Sequence, residues 1–111
     1  MQYLLLIYED EARYEKGIDP AILAEYDAFG KAHAGAIRGG NALDTTHTAK
    51  TVRVRDNKSI VTDGPFAETK EQLGGYYVVE AGSIDEAAKM AAGIPGAQFG
   101  SVEVRPVMIF S

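Results

Sequence analysis

Two short segments, Tyr3 to Tyr8 and Tyr76 to Ala81, are apolar on both faces. A strand of that kind is buried on both sides. The chain has 111 residues, one domain of ordinary size that buries roughly two thirds of its unfolded surface. It offers two helical segments, and two helices can cover only one face of a sheet. Something else must cover the second face. Most oligomers are symmetric dimers, so the expected cover is another copy of the same sheet. A homodimer with facing sheets and a cleft between them follows.

The remaining elements fit this frame. Asp19-Pro20 opens a helix, with Asp as N-cap and Pro at the first helical position. Ile22, Tyr26, Phe29, His33 and Ile37 follow at steps of three or four, and Gly39-Gly40 is read as the stop. Thr51 to Thr62 reads as a hairpin turning near Asp56-Asn57. A two-residue turn would set Arg55 against Lys58 and Arg53 against Ile60. A three-residue turn pairs Val54 with Ile60 and suits the pattern better. Ser83-Ile84-Asp85-Glu86 is a capping box opening a second helix, which Gly93, Pro95 and Gly96 end. Ser101 to Phe110 reads as the last strand, and Pro106 places it at a sheet edge or a bulge. The order is that of an α+β, ferredoxin-like split βαβ domain with an extra β-hairpin. One such domain spans residues 1–111.

Composition narrows the function. The 46% hydrophobic and 24% charged content is that of a soluble globular protein. Cysteine is absent, which excludes disulfides, thiolate metal sites and a thiol nucleophile. The apolar run Leu4 to Ile7 is far too short to span a bilayer, and no basic segment precedes it. A cytoplasmic protein without a membrane partner is expected. The net charge of -5 argues against direct nucleic-acid binding. There is no Gly-rich phosphate loop, no nucleophile elbow and no metal motif of diagnostic spacing, so no cofactor or metal is assigned.

The densest chemistry lies in Asp63-Gly64-Pro65-Phe66-Ala67-Glu68-Thr69-Lys70-Glu71. Aspartate before Gly-Pro starts turns, proline fixes φ and holds Gly64 extended, and Phe66 would pin the turn to the core. The functional reading makes Asp63 a rigidly held carboxylate at a cleft, available as a general base or a metal ligand. Glu68, Lys70 and Glu71 are either a solvated ion network or a segment folded over the dimer cleft. In the second case Lys70 would hold an anionic substrate group and Glu68 would move a proton. His33 falls on the apolar stripe of the first helix. His47 lies in a polar connection, and if it faces the cleft it is the group best placed to titrate near neutral pH. Arg105 would pair with Glu103 or Glu80, or bind an anion. Tyr8, Tyr76 and Tyr77 either pack in the core or give the cleft hydroxyl handles. The candidate catalytic residues are therefore Asp63, Glu68 and His47, and the candidate substrate-binding residues are Lys70, Arg105 and Tyr8.

The run Asp63 to Glu71, with Leu73-Gly74-Gly75-Tyr76-Tyr77 after it, resembles the signature of the YCII-related proteins of the DGPF-domain type. Tyr3 to Tyr8 and Val102-Glu103-Val104-Arg105-Pro106 extend the resemblance over nearly the whole chain. It implies a dimeric α/β-barrel built from two ferredoxin-like subunits. It does not imply an established activity. Many small bacterial proteins of this type are encoded beside extracytoplasmic-function sigma factors. The wider family is thought to use a His–Asp pair, with the histidine near the start of the first helix. This chain has Pro20-Ala21-Ile22-Leu23 there, without histidine. Three function classes stand: a cofactor-independent acid–base enzyme acting on a small anionic organic molecule in the dimer cleft, a non-enzymatic ligand-binding or regulatory module linked to such a sigma factor, or a structural dimer whose motif only rigidifies the fold.

Overall fold

The computed structural model describes residues 1–110. In chain order the elements are β1 (Gln2–Glu9), α1 (Pro20–Ala32), β2 (Ile37–Ala42), β3 (Lys50–Arg55), β4 (Lys58–Asp63), β5 (Gln72–Glu80), α2 (Ile84–Ala91) and β6 (Ser101–Pro106). Four strands form an antiparallel sheet in the order β2-β5-β1-β6, and β3 and β4 form a separate hairpin. This is a ferredoxin-like α+β fold with an inserted hairpin.

Strand β1 is central and pairs on both edges. Its side chains alternate, so Tyr3, Leu5, Ile7 and Glu9 are buried while Leu4, Leu6 and Tyr8 are half-buried on the opposite face. The buried set packs with Val79 of β5, Phe29 of α1, and Ala87, Met90, Ala91 and Ile94 in and after α2. Leu5, Val79 and Ile94 are fully buried, each contributing roughly 1.5–3 kcal/mol of hydrophobic stabilisation. Both helices start as their sequences direct. Asp19 accepts from the Ala21 amide at 2.9 Å, and Ser83 Oγ accepts from the Glu86 amide at 3.1 Å. The Glu86 carboxylate reaches one residue further back than a standard capping box, to the Gly82 amide at 2.9 Å.

Four expectations need correcting. Helix α1 ends at Ala32, with His33 as its C-cap, and Ile37–Ala42 is strand β2. Gly39-Gly40 is thus inside a strand rather than a helix stop. Gly40 is needed for close approach, because a Cβ there would lie 2.6 Å from the Tyr76 carbonyl oxygen. The hairpin uses the two-residue turn: Arg55 pairs with Lys58 and Arg53 with Ile60. Asp56 and Asn57 both take left-handed φ values of 51° and 61°, the conformation that matches the natural strand twist. The facing Arg55 and Lys58 are exposed, so solvent weakens their repulsion.

Strand β6 stops at Pro106, short of Phe110, though it does lie at a sheet edge as the proline requires. Finally, Phe66 does not anchor its turn to the core. Its side chain is 80% exposed, and Gly64 has φ +93° rather than an extended conformation. Leu73 pairs with Tyr8 and Gly75 with Ile7, so Gly74 is the extra residue of a bulge.

Replacing Leu5 by Ala is expected to cost about 2–5 kcal/mol in denaturant unfolding, as deletions in a closed core do. Leu23→Ala, at a half-exposed position of α1, should stay within about 0.5 kcal/mol.

Candidate functional site

Below the N-terminal half of α1 the sheet carries almost no side chain. Gly75 of β5 and Gly40 and Ala42 of β2 form its floor. A cavity of about 580 Å³ results, walled by Ile7, Ile22, Leu23, Tyr26 and Tyr77. Its polar groups are Glu9, Glu11 and Tyr14 from the end of β1 and the short 3-10 turn Glu11–Tyr14, and Asn41, Asp44, Thr45 and Gln72 from the strands and loop opposite.

Glu9 lies at this polar end. It is 6% exposed, the one buried charged residue among those described. Tyr14 donates a short hydrogen bond to its Oε2. Its Oε1 is buried with no hydrogen-bond partner of good geometry. The 3-10 turn Pro95–Gln98 brings Gly96 against the same carboxyl. A Cβ at Gly96 would collide with Glu9 Oε1, Ile7 and the Tyr26 hydroxyl, so only glycine leaves room for this carboxyl.

Burial pushes the Glu9 carboxyl above its usual pKa of 4.5, against the opposing pull of the Arg13 charge and the Tyr26 hydroxyl. Tyr26 itself is pushed up to about 12, first by burial and then by the Glu9 charge. Arg13 stacks over Phe99, 3.8 Å from the ring centroid. The Glu11 carboxylate is fully engaged by Thr46: Oε1 accepts from the amide at 2.7 Å and Oε2 from the hydroxyl at 2.8 Å. Together these groups surround a buried carboxyl whose Oε2 takes the Tyr14 hydrogen bond and whose Oε1 lies against Gly96 and the Tyr26 hydroxyl, at the edge of an apolar space. A carboxyl in that position can exchange a proton with a neighbouring group.

The residues singled out from the sequence lie elsewhere. Asp63 is exposed and bonded to Lys50 Nζ at 2.6 Å. Glu68 and Lys70 are exposed and form no hydrogen bond or ion pair among the described residues. Glu71 accepts from the Ser101 hydroxyl at 3.0 Å. His47 is exposed, with Nδ1 2.7 Å from the Thr45 hydroxyl. Tyr8 and Arg105 are brought together on the sheet face opposite the helices. Tyr8 donates to Glu103 Oε1 at 3.4 Å, and Arg105 Nε donates to Glu103 Oε2 at 2.8 Å. None of Asp63, Glu68, His47, Lys70, Arg105 and Tyr8 lines the cavity. His33 is half-buried, its ring 4.7 Å from that of Phe29. Among the described residues no three His, Asp or Glu side chains gather to hold a metal ion.

Sequence reasoning missed Glu9, Tyr14 and Tyr26. Glu9 stands within the acidic run Glu9-Asp10-Glu11, which looks like a solvated strand end. The signal was its parity: it continues the buried series Tyr3, Leu5, Ile7.

Fold and cavity together define a ferredoxin-like α+β domain that encloses a carboxyl between its first helix and its sheet. The model of the YCII-related domain family matches residues 1–111, and the chain belongs to that family. An uncharacterised protein of Rhizobium meliloti (strain 1021) is 37% identical over 117 residues, covering 99% of this chain and 94% of that protein. Among solved structures, the 5-chloro-2-hydroxyhydroquinone dehydrochlorinase of Burkholderia phenoliruptrix AC1100, in complex with 2,5-dihydroxybenzoquinone, aligns with a TM-score of 0.48 and 14% identity. That alignment covers 97% of this chain and 94% of the dehydrochlorinase. The start of α1 is apolar, and its Ile22 and Leu23 line the cavity.

The Glu9 carboxyl holds its proton more tightly in the folded chain than in the unfolded one. Its stabilising contribution is therefore complete below pH 4.5 and is lost as pH rises through the raised folded value. Thermal melts of the wild type and of Glu9→Gln across pH 4–8 should show the wild type losing stability relative to the variant as pH increases. Gly96→Ala should displace the carboxyl and cost about 1–3 kcal/mol by overpacking, read by denaturant unfolding.

Proposed function

We propose that the chain binds a small organic molecule in the cavity between α1 and the sheet and moves a proton to or from it through Glu9. The carrying observation is the buried carboxyl of Glu9 among the residues that line an apolar space of about 580 Å³. Tyr14 holds the carboxyl through Oε2, and the carboxyl acts as general acid or base. A carboxyl raised by burial is suited to that role, because its pKa moves toward the pH at which it must both take and give a proton. No cofactor enters this chemistry. The reading keeps the acid–base class expected from the sequence and moves its centre from Asp63, Glu68 and His47 to Glu9. Chemistry at those three exposed residues would need a second copy of the chain to enclose them.

We also propose that the chain works as a homodimer. Leu4, Leu6 and Tyr8 of β1 and Tyr76 and Val78 of β5 are directed away from the helices. The hairpin carries Val52, Val54 and Val61 exposed, and a lone two-stranded hairpin has little stability of its own. The chain is a slab 46 × 46 × 18 Å in extent, as expected of one layer of helices on a bare sheet. A second copy laid on that sheet would cover its apolar side chains and bring Tyr8 and Arg105 into a shared cleft.

A thermal-shift screen with small aromatic and aliphatic alcohols, amines and acids tests the site. Stabilising compounds should lose their effect in Leu23→Trp, which fills the cavity mouth from the exposed side of α1 while circular dichroism stays unchanged. Retention of the shift in that variant would place binding elsewhere. Light scattering at micromolar concentration should give twice the 11.9 kDa chain mass, falling to one chain in Leu6→Glu.

A further inference from the structure

Glu9 belongs to the cavity lining, but both of its oxygens are taken up by neighbours. Oε1 is buried against Gly96 and the Tyr26 hydroxyl. Oε2 accepts the hydrogen bond from Tyr14. Arg13 places a positive charge nearby, yet its guanidinium stacks over Phe99 and is not part of the lining. Its pull favours the ionised carboxylate, the stronger acceptor for the Tyr14 proton. Tyr14 is therefore the group that connects the carboxyl to the space. It is half-buried and lines the same cavity. A phenol hydroxyl both donates and accepts. The Tyr14 hydroxyl donates to Glu9, and among the described residues nothing donates to its oxygen. The Tyr26 hydroxyl, by contrast, is crowded by Gly96 and Glu9 Oε1.

We propose that Tyr14 is the residue that touches the ligand, and that Glu9 acts on the ligand through it. The inference rests on the role of Glu9 argued above. A ligand O–H or N–H donates to the Tyr14 oxygen while Tyr14 donates to Glu9 Oε2. In the transfer the ligand proton passes to the Tyr14 oxygen as the Tyr14 proton passes to Oε2. The ligand is left as its conjugate base, Glu9 as the neutral acid and Tyr14 as it began; the reverse step restores both. Hydrogen bonds in such a chain polarise one another, so donation to Glu9 makes the Tyr14 oxygen a better acceptor. The ligand class follows: an uncharged molecule with one hydroxyl or N–H donor beside an apolar body. Ile7, Ile22, Leu23 and Tyr77 take the body over the bare floor at Gly75.

The test titrates two probes of matched shape, phenol and toluene, into the full chain at pH 7 by calorimetry. Phenol should bind about 10-fold more tightly than toluene, the worth of one hydrogen bond to a polarised acceptor. Tyr14→Phe keeps the ring and removes the hydroxyl, so it should abolish the preference while toluene binds as before. Glu9→Gln keeps an acceptor for Tyr14 and removes the charge, so the preference should fall part way. In the Tyr14→Phe background Glu9→Gln should change nothing further; that coupling is the mark of a relay, which a merely structural Tyr14 would not show. A preference that survives Tyr14→Phe but falls in Glu9→Gln overturns the relay and leaves Glu9 as the direct contact. A preference lost in Tyr14→Phe but untouched by Glu9→Gln overturns the part given to Glu9, here and in the proposed function. Phenol binding no tighter than toluene in the wild type, phenol binding that survives Leu23→Trp, or failure of both probes to bind overturns the inference. The wider screen with Leu23→Trp then decides separately whether the cavity is a binding site.

Discussion

The pairing of β1 on both of its edges is the constraint from which the rest follows. A central strand between β5 and β6 has its register set twice, so its side chains cannot slip by one residue without exposing the core. That fixes which of its residues face the helices. Three are apolar and form the core. The fourth, Glu9, is carried to the same face at the end of the strand, where the 3-10 turn Pro95–Gln98 and α1 meet the sheet. The same alternation sends Leu4, Leu6 and Tyr8 to the uncovered face. One register therefore sets both the buried carboxyl and the surface that asks for a partner.

The cavity is a second consequence, because its size comes from what the neighbouring strands lack. Gly75 pairs with Ile7 across one edge and with Ala42 across the other, and Gly40 lies opposite Tyr77. Larger residues at these positions would fill the space beneath α1. Gly75 would bring a Cβ within 3.1 Å of the Asn41 carbonyl oxygen, so the closeness of β2 to β5 also depends on it. The polar end of the cavity depends in the same way on Gly96, which leaves the Glu9 carboxyl its only room.

Much of the fold was legible because its signals are local. Asp19-Pro20 and Ser83 marked the helix starts, Pro106 marked an edge strand, and two strands apolar on both faces marked the sheet centre. The misread parts are those where tertiary contact overrides local pattern. Strand β2 is short, glycine-rich and exposed, and Ile37 happens to continue the period of α1 before reaching the core from a strand. The hairpin register was set by the backbone of Asp56 and Asn57 rather than by the charges of Arg55 and Lys58. Glu9 was hidden by its neighbours, since Asp10 and Glu11 make it look like the solvated end of a strand. Asp63 to Glu71 marked the family but lies away from the cavity, so the stretch with the densest chemistry and the enclosed carboxyl are separate features.

A buried carboxyl in this position is poor design for stability alone. Leaving one buried acceptor unmet costs about 1–3 kcal/mol. An apolar residue at position 9 would extend the packing of Leu5 and Ile7 without that cost, since replacing buried charges by well-packed hydrophobic groups is often neutral or stabilising. Two tyrosines are instead arranged around the carboxyl, and a glycine makes space for it. Such a group, shifted by burial and set at the edge of an apolar cavity, marks a candidate site. By the same measure Asp63, exposed and paired with Lys50, needs no explanation beyond the surface. The physical difference between these two carboxylates is what moves the candidate site from the motif that names the family to the end of its central strand.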